Sequence, residues 1–159
     1  MKEELPILFF TSDGSIQEKV QILLHQLFGF DEKGLAKTKY KAGNFKHGAI
    51  TIFSRIKFDR SLYKKYSIGD WFGLLVHEQV HREDIVCHPQ GGMGFYFSYF
   101  LGWIQAGFSY RMNEYEVKAY DKEKIARQMW NAHSTLLLEM INKEIDLKVL
   151  RELKTVLNR

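Results

Sequence analysis

The chain has 159 residues, of which 45% are hydrophobic and 14% are aromatic. That length and composition predict a single folded domain over residues 1–159 and exclude a disordered chain. The formal net charge is +4. Because Lys and Arg are scattered along the chain without a basic block, no nucleic-acid partner is expected.

Cysteine use and hydrophobic runs bear on the compartment of the protein. Cys87 is the only cysteine, which excludes an internal disulfide and suits a reducing compartment. The apolar run near the N-terminus has only about five residues, too few for a signal peptide. The longest apolar stretch, residues 92–108, contains Gly and polar residues and is shorter than the roughly 20 residues of a membrane span. We expect a cytoplasmic protein without a membrane partner, or a virion-associated one if it is encoded by a phage.

The N-terminal part predicts a strand and a helix. Residues Pro6–Phe10 form a short apolar run that ends at the turn-forming sequence TSDGS, which is typical of a strand. Apolar residues at helical spacing predict a helix over Ser15–Phe28. Ser15 is the expected N-cap, and Glu18 would complete a capping box. A polar stretch rich in Lys and Gly, residues 31–46, follows this helix.

The next segment alternates between apolar and polar residues and predicts a strand over Gly48–Phe58. Ser67 and Asp70 then form a capping box for a helix that is predicted to reach about Val86. The residues CHPQGGMG that follow predict a loop, because they include one Pro and three Gly. One face of the predicted strand is expected to carry Ile50, Ile52, Ile56 and Phe58.

The C-terminal half predicts helices throughout. A helix over Phe95–Phe108 has aromatic residues on most sides, which predicts burial. A break near Gly107–Arg111 leads to a helix that contains NEYEVKAY. The last stretch, Asn131–Arg159, is amphipathic and helical, with a kink or break near Asn142. Its leucines at 136–138 and 147–153 either cover the core or form a dimer surface.

The segment HEQVH, residues 77–81, lies in the helix that Ser67 begins. Residues four apart lie on the same face of a helix, so His77 and His81 can each direct a nitrogen to one ion. Glu78 lies at the edge of that face, where its carboxylate can reach water activated by the ion without becoming a ligand. Two ligands and a general base within five residues are typical of a zinc metallopeptidase.

The alternative interpretation of HEQVH is a helix whose histidines face solvent or form hydrogen bonds in the core. The apolar residues WFGLLV before His77 weigh against it, since they indicate a face that is at least half buried. Burial of two imidazoles and a carboxylate is costly unless a group such as a divalent cation compensates it.

A catalytic zinc site also needs a third protein ligand and an open position. The candidates are Asp84, Glu114, Glu116 and Asp121. Glu116 is preferred to Glu114 because Ala119, three residues further on the same face, would let two helices approach closely. Asp84 is interpreted as a hydrogen-bond partner of a histidine N–H or as surface charge, because one straight helix rarely supplies three ligands to one ion.

Together these segments resemble small bacterial and phage metallopeptidases of the zincin type. The likeness covers about residues 48–123. It links LLVHEQVHRED to an aromatic-rich helix that is followed by Tyr-Arg and Asn-x-Tyr-Glu-x-x-Ala-Tyr. This chain departs from the pattern at Asp84, where family members often have Gln. The second motif consists of Tyr110, Arg111, Asn113, Tyr115, Glu116, Ala119 and Tyr120.

The resemblance implies an α+β fold, a mainly helical zincin-like domain with a small β-sheet beside the active-site helix. It also implies that Glu116 is the third zinc ligand, completing a site of the gluzincin kind with His77 and His81. The cofactor is then Zn²⁺. A peptide or protein substrate would lie extended along an edge strand within Gly48–Phe58, and Glu78 would be the general base.

Several other polar residues have two interpretations each. Tyr110 is a candidate hydrogen-bond donor to the developing oxyanion, and the alternative is a core or interface tyrosine. His88 is interpreted as a loop histidine. The alternative is that it, like Tyr110, donates a hydrogen bond to the developing oxyanion. His25 is expected to be structural and Cys87 to be a buried bystander. No pattern surrounds the remaining histidines, His47 and His133.

These observations predict a zinc metallopeptidase that hydrolyses peptide bonds in a narrow protein substrate, since no propeptide or specificity pocket is visible. The first alternative is a non-catalytic zincin-fold protein that serves as a structural, assembly or regulatory component, for example of a phage particle. A basic nucleic-acid-binding domain is the second alternative and rests on charge alone.

Overall fold

The computed structural model describes residues 8–43, 48–143 and 145–157. Within these ranges the chain is mainly helical with one small sheet, which confirms the predicted α+β class. None of the described helices is long and apolar enough to cross a membrane. The helices are α1 (Glu18–Phe28), α2 (Glu32–Lys37), α3 (Leu62–Lys65), α4 (Ile68–Cys87), α5 (Gly91–Gln105), α6 (Glu114–Asn142) and α7 (Leu147–Leu157). The strands are β1 (Lys39–Gly43), β2 (Ala49–Ile52) and β3 (Arg55–Asp59), and a turn of 3₁₀ helix covers Tyr110–Met112.

The three strands form one sheet in the order β1–β3–β2, so β2 is an edge strand. β3 pairs in parallel with β1 and antiparallel with β2. The prediction of a single strand over Gly48–Phe58 is wrong, because Phe53 and Ser54 form the turn of a hairpin. Phe53 has a φ of 53°, a left-handed conformation that is uncommon for a bulky residue. The sequence carries no Gly or Asn at this turn to reveal it.

The hairpin turn changes which side chains face the core. Ile56 and Phe58 on β3 are buried as predicted, whereas Ile50 and Ile52 on β2 are exposed. Thr51, expected on the opposite face from these isoleucines, is the buried residue of β2. The edge strand therefore directs the hydroxyl of Thr51 towards Glu78 of α4.

The N-terminal predictions are only partly met. Pro6 and Ile7 lie outside the described residues, and Phe10 forms a single bridge with Ile16 instead of a strand. α1 begins after Gln17, because Ser15 is held in the preceding turn, where its backbone N–H and its hydroxyl donate to Asp13. The polar stretch 31–46 contains α2 and β1, neither of which the sequence predicts.

α4 begins with the predicted capping box. Ser67 Oγ accepts a hydrogen bond from the Asp70 N–H at 3.2 Å, and the Asp70 carboxylate accepts one from the Ser67 N–H at 2.9 Å. The helix ends at Cys87, one residue beyond the predicted Val86. HEQVH therefore lies within α4, as the predicted helix bounds indicate.

The C-terminal breaks also agree with the sequence. The chain leaves helical structure between α5 and the 3₁₀ turn, and α6 ends at the predicted Asn142. The backbone at His133 is also non-helical, which kinks α6. Of the leucines in the last stretch, Leu137 and Leu150 are buried in the core and Leu147 is half exposed.

Two predictions for α5 are wrong. The helix begins at Gly91 and takes in most of the predicted glycine loop. Within this fully described helix only Phe95 and Gly102 are buried, whereas aromatic residues such as Phe97 and Phe100 are exposed. Aromatic content indicated burial but could not indicate which side of the helix would be covered.

Aromatic packing sets the mutual position of α4 and α6. Phe72 of α4 and Trp130 of α6 meet with Phe9, and the three ring centroids are 5.2 to 6.0 Å apart. Gly73 on α4 permits the approach, because a Cβ there would lie 2.7 Å from the Arg127 side chain. These contacts belong to one hydrophobic cluster that also includes residues of α1, the sheet and α7.

We expect the substitution Ala119→Leu to push α6 away from α4. Ala119 is fully buried and lies on the face of α6 that meets α4, between Glu116 and Glu123. Overpacking of such a site lowers the free energy of unfolding by about 1–3 kcal/mol, which urea denaturation would measure. The control Val117→Leu, at an exposed position of the same helix, should change it by less than about 0.5 kcal/mol. Equal effects in both variants would contradict this close approach.

Candidate metal centre

α4 places HEQVH in the interior of the protein. His77, Glu78 and His81 are buried, with 3% to 7% of each residue exposed. The six apolar residues before them, 71–76, are buried as well, which confirms the buried face predicted from WFGLLV. Ionisable groups at this depth require partners within the protein.

α6 supplies the partner carboxylate from its first turn. Glu116 is only 1% exposed. Asn113 caps this helix by accepting a hydrogen bond from the Tyr115 N–H at 3.2 Å. The amide of Asn113 also donates to the Tyr99 carbonyl of α5 at 3.0 Å. The cap thus fixes the start of α6 against α5, so that the Glu116 side chain is directed at α4.

The side chains of His77, His81 and Glu116 meet in a triangle of donor atoms. The two Nε2 atoms are 3.1 Å apart, His81 Nε2 is 3.2 Å from Glu116 Oε1, and His77 Nε2 is 3.5 Å from Glu116 Oε2. A zinc ion bound tetrahedrally at about 2.0–2.2 Å holds its ligand atoms about 3.3 Å apart. The observed edges therefore have the length that three zinc ligands require.

Hydrogen bonding at the cluster is incomplete in a way that fits a cation. Among the described residues, Glu116 Oε2 accepts no hydrogen bond although it is buried, and His81 Nδ1 has no partner either. A carboxylate oxygen left unpaired in the interior is costly. These residues could hold a metal ion, and they form a group of metal-binding type within the part of the chain that the structure describes.

A carboxylate behind His77 fixes the orientation of its ring. His77 Nδ1 lies 2.9 Å from Glu123 Oε2, so Nδ1–H donates to the carboxylate, and in the neutral ring the lone pair of Nε2 faces the centre of the triangle. Arg127 donates from Nε and Nη2 to Glu123 Oε1 and from Nη1 to Asp70. Asp70 belongs to the α4 capping box, so the network runs from the first turn of α4 to the candidate metal centre.

Tyr99 of α5 orients the Glu116 carboxylate, as Glu123 orients the ring of His77. Its hydroxyl donates a hydrogen bond of 2.6 Å to Glu116 Oε1, which leaves Oε2 free. Neither Tyr99 nor Glu123 was identified from the sequence. Glu123 lies seven residues after Glu116, two helical turns further on the same face, and this spacing is the signal that could have indicated it.

The acid–base properties of the cluster reflect this pairing. Burial alone would lower the pKa of His77, but the neighbouring Glu116 carboxylate and the hydrogen bond to Glu123 raise it to about 9. Burial would raise the pKa of Glu116, yet the adjacent imidazoles of His77 and His81 hold that pKa well below its usual range. In the absence of metal, a proton on His77 thus stabilises the Glu116 carboxylate.

Glu78 lies beside the triangle and has a different environment. Its Oε2 accepts a hydrogen bond of 2.5 Å from the hydroxyl of Thr51 on β2. Burial raises the pKa of Glu78, while the nearby His81 and His77 oppose the shift. A carboxylate with a raised pKa, held by one hydrogen bond, is suited to accept and return a proton.

The other acidic candidates do not join the cluster. Glu114 and Asp121 are exposed on α6. Asp84 forms an ion pair with Lys118, and no hydrogen bond to either histidine is found for it among the described residues. The interpretation of Asp84 as a partner of a histidine N–H is therefore wrong, because α6 brings Lys118 to it instead.

A cleft of about 920 Å³ gives access to the cluster. Residues of β2 and the predicted Tyr110, which is half exposed, line this cleft together with residues of α4. Burial, followed by the charge of Glu116, raises the pKa of Tyr110, so that its hydroxyl stays protonated and able to donate. Aromatic residues complete the lining, among them Phe95, Tyr96 and Tyr120.

The remaining singled-out residues lie elsewhere. His88 caps the end of α4 and contacts Ser98 at 3.2 Å, and His25 contacts the Phe30 carbonyl at 2.9 Å. Cys87 is exposed, so its prediction as a buried residue is wrong. His133 is part of the kink in α6, and His47 lies outside the described residues.

Comparison with protein-family models, with curated proteins and with solved structures found no match for this chain.

Removal of the Glu123 carboxylate should weaken metal binding. We expect Glu123→Ala to lower zinc affinity by about 10- to 100-fold, because His77 loses the partner that orients its ring. Competition with a chelating dye would measure the affinity. Glu139→Ala, an exposed glutamate on the same helix, is the control and should bind zinc like the wild type. Unchanged affinity in Glu123→Ala would show that this carboxylate has no part in metal binding.

The metal-free protein should lose stability as pH rises. The His77 pKa of about 9 lies above its ordinary value of 6.5. Folding therefore favours protonation, and the stabilisation is complete below pH 6.5 and lost as pH rises through 9. We expect the free energy of unfolding in urea and chelator to fall over this interval, and to fall less in His77→Gln. The same decline in both proteins would assign it to another group.

Proposed function

We propose that this chain is a zinc-dependent metallopeptidase in which His77, His81 and Glu116 bind Zn²⁺ and Glu78 is the general base. The observation that carries the proposal is the triangle of donor atoms, whose edges of 3.1 to 3.5 Å suit a zinc tetrahedron. The zincin-type motif and the Glu78 carboxylate beside the triangle support it.

The donor atoms favour zinc over the other common divalent ions. Two imidazole nitrogens and one carboxylate oxygen are ligands that suit zinc, whereas magnesium and calcium prefer oxygen atoms alone. When bound, zinc supplies a water of lowered pKa and polarises the carbonyl of the scissile bond.

The number of ligands favours a catalytic over a structural site. Structural zinc sites are closed by four protein ligands, whereas catalytic sites have three and keep one position open. Within the described residues the cluster contains three such side chains, and they line a cleft. This arrangement supports hydrolysis over the non-catalytic alternative.

Glu78 performs the proton transfers in the proposed reaction. Its carboxylate takes a proton from the attacking water and then delivers it to the nitrogen of the leaving amine. Thr51 holds one oxygen of the carboxylate at 2.5 Å, which restricts its rotation and leaves the other oxygen for the proton. The pKa raised by burial makes Glu78 a stronger base than an exposed glutamate.

The cleft suits an extended peptide or protein segment. β2 is an edge strand and lines the cleft, so that its unpaired backbone groups can form hydrogen bonds with substrate. Tyr110 lines the same cleft, and we assign its hydroxyl to donate to the carbonyl oxygen as negative charge develops there.

Elemental analysis tests the ligand set. We expect about one zinc per chain in the wild type and much less in Glu116→Ala, because two ligands from one helix hold zinc weakly. Glu114→Ala changes an exposed neighbour in the same helical turn and should keep the metal. Full zinc content in Glu116→Ala would exclude Glu116 as the third ligand, and a metal-free wild type after addition of zinc would refute the site.

Substitution of the general base should separate metal binding from hydrolysis. We expect Glu78→Gln to bind zinc normally but to cleave a fluorogenic peptide library about 100- to 10,000-fold more slowly. Glu83→Gln on another side of α4, where the carboxylate accepts from the Asp31 N–H, is the control and should retain activity. Wild-type turnover in Glu78→Gln would refute the mechanism.

A further inference from the structure

The outward side of α5 is an exposed hydrophobic surface. No Asp, Glu, Lys or Arg occurs between Asp84 and Arg111, although 26% of the chain is charged. The exposed apolar side chains here have 40% to 74% of their surface accessible. We name them the α5 apolar face: Met93, Phe97, Phe100, Leu101, Ile104 and Phe108.

This face is separate from the candidate metal centre. Successive residues of a helix are rotated by about 100°, which places Phe97 and Ile104 on the side opposite to Tyr99 and the buried Phe95. Phe95 and Tyr99 line the cleft, and no member of the α5 apolar face does so. Phe108 adjoins the face beyond the helix through Trp103, whose ring centroid is 4.9 Å from that of Phe108 and 6.1 Å from that of Phe100.

The exposed area of this face exceeds what a monomer ordinarily leaves in water. From the exposed fractions, the six side chains present roughly 700 Å² of apolar surface. The largest apolar patch on a typical monomer is about 300–600 Å², whereas each partner in a stable complex buries about 800 Å². The face thus has nearly the area of a complete interface.

We propose that the α5 apolar face is a homodimer interface, in which α5 of one chain packs against α5 of a second copy. A two-fold axis brings the same surface together with itself. Because the face has no charged residue, this pairing removes no charge from water. Interface centres between identical subunits are depleted of charge and rich in Phe and Met, as this face is. The proposal depends on neither zinc nor catalysis.

The charge distribution favours a second copy over a lipid surface. Helices that lie on a membrane usually carry Lys and Arg along their polar side, which attract anionic headgroups. α5 has no basic residue. The charged residues nearest to its two ends are of both signs. Asp84 is paired with Lys118, and Arg111 is followed by Glu114, so neither end carries a cluster of positive charge.

Sedimentation equilibrium of the full chain tests the interface. We expect the wild type at micromolar concentration to have twice the chain mass of 18.8 kDa. Phe97→Glu and Ile104→Glu, both at exposed positions, should each return the mass to one chain while circular dichroism stays unchanged. Leu147→Glu is the control, because the exposure of Leu147 on α7 lies between those of Phe97 and Ile104, and it should leave the dimer intact.

Three outcomes would overturn the proposal. A wild type that has the mass of one chain at high micromolar concentration would exclude the dimer. A dimer that Leu147→Glu dissociates, and that both α5 variants leave intact, would move the interface to α7. A monomer that floats with vesicles of phosphatidylcholine and phosphatidylglycerol, while Phe97→Glu does not, would assign the face to lipid.

Discussion

The packing of α4 against α6 brings together ionisable groups that neither helix could bury alone. His77, His81 and Glu116 lie in the interior, where an unpaired charge is costly. Each helix therefore supplies what the other lacks: imidazoles from α4 and carboxylates from α6. The contact between Phe72 and Trp130 provides the apolar stabilisation that holds the two helices at this distance.

The smaller elements refine the position of the same groups. β2 brings Thr51 to Glu78, and α5 brings Tyr99 to Glu116. Arg127 connects Glu123 with the first turn of α4. Each of the three glutamates thus has a separate neighbour, which is how three carboxylates close together can differ in task.

The parts of the fold that depend on local sequence could be predicted. The Ser67–Asp70 capping box gave the start of α4, and the spacing of His77 and His81 placed both on one face. The resemblance to zincin-type metallopeptidases predicted Glu116 as the third ligand, and the structure places Glu116 beside the histidines. Whether it binds zinc remains a prediction.

The features that depend on tertiary packing could not be predicted. Tyr99 and Glu123 reach the cluster only because α5 and α6 fold back onto α4, and no pattern within either segment contains that information. The hairpin was missed because Phe53 adopts a positive φ without a turn-forming residue. Burial of α5 was predicted from composition, but composition does not distinguish the covered side of a helix from the exposed one.

The chain between His81 and Glu116 forms a closed loop that contains all of α5. A cross-link between the two ends of a loop restricts the unfolded chain, and a metal ion held across them would act like a disulfide in this respect. Tyr99, which lies within this loop, donates a hydrogen bond to Glu116 at the end of the loop. The loop should consequently open and close as one cooperative unit. Its amide protons would then exchange with solvent together, and a metal ion bound at the candidate centre would slow that exchange.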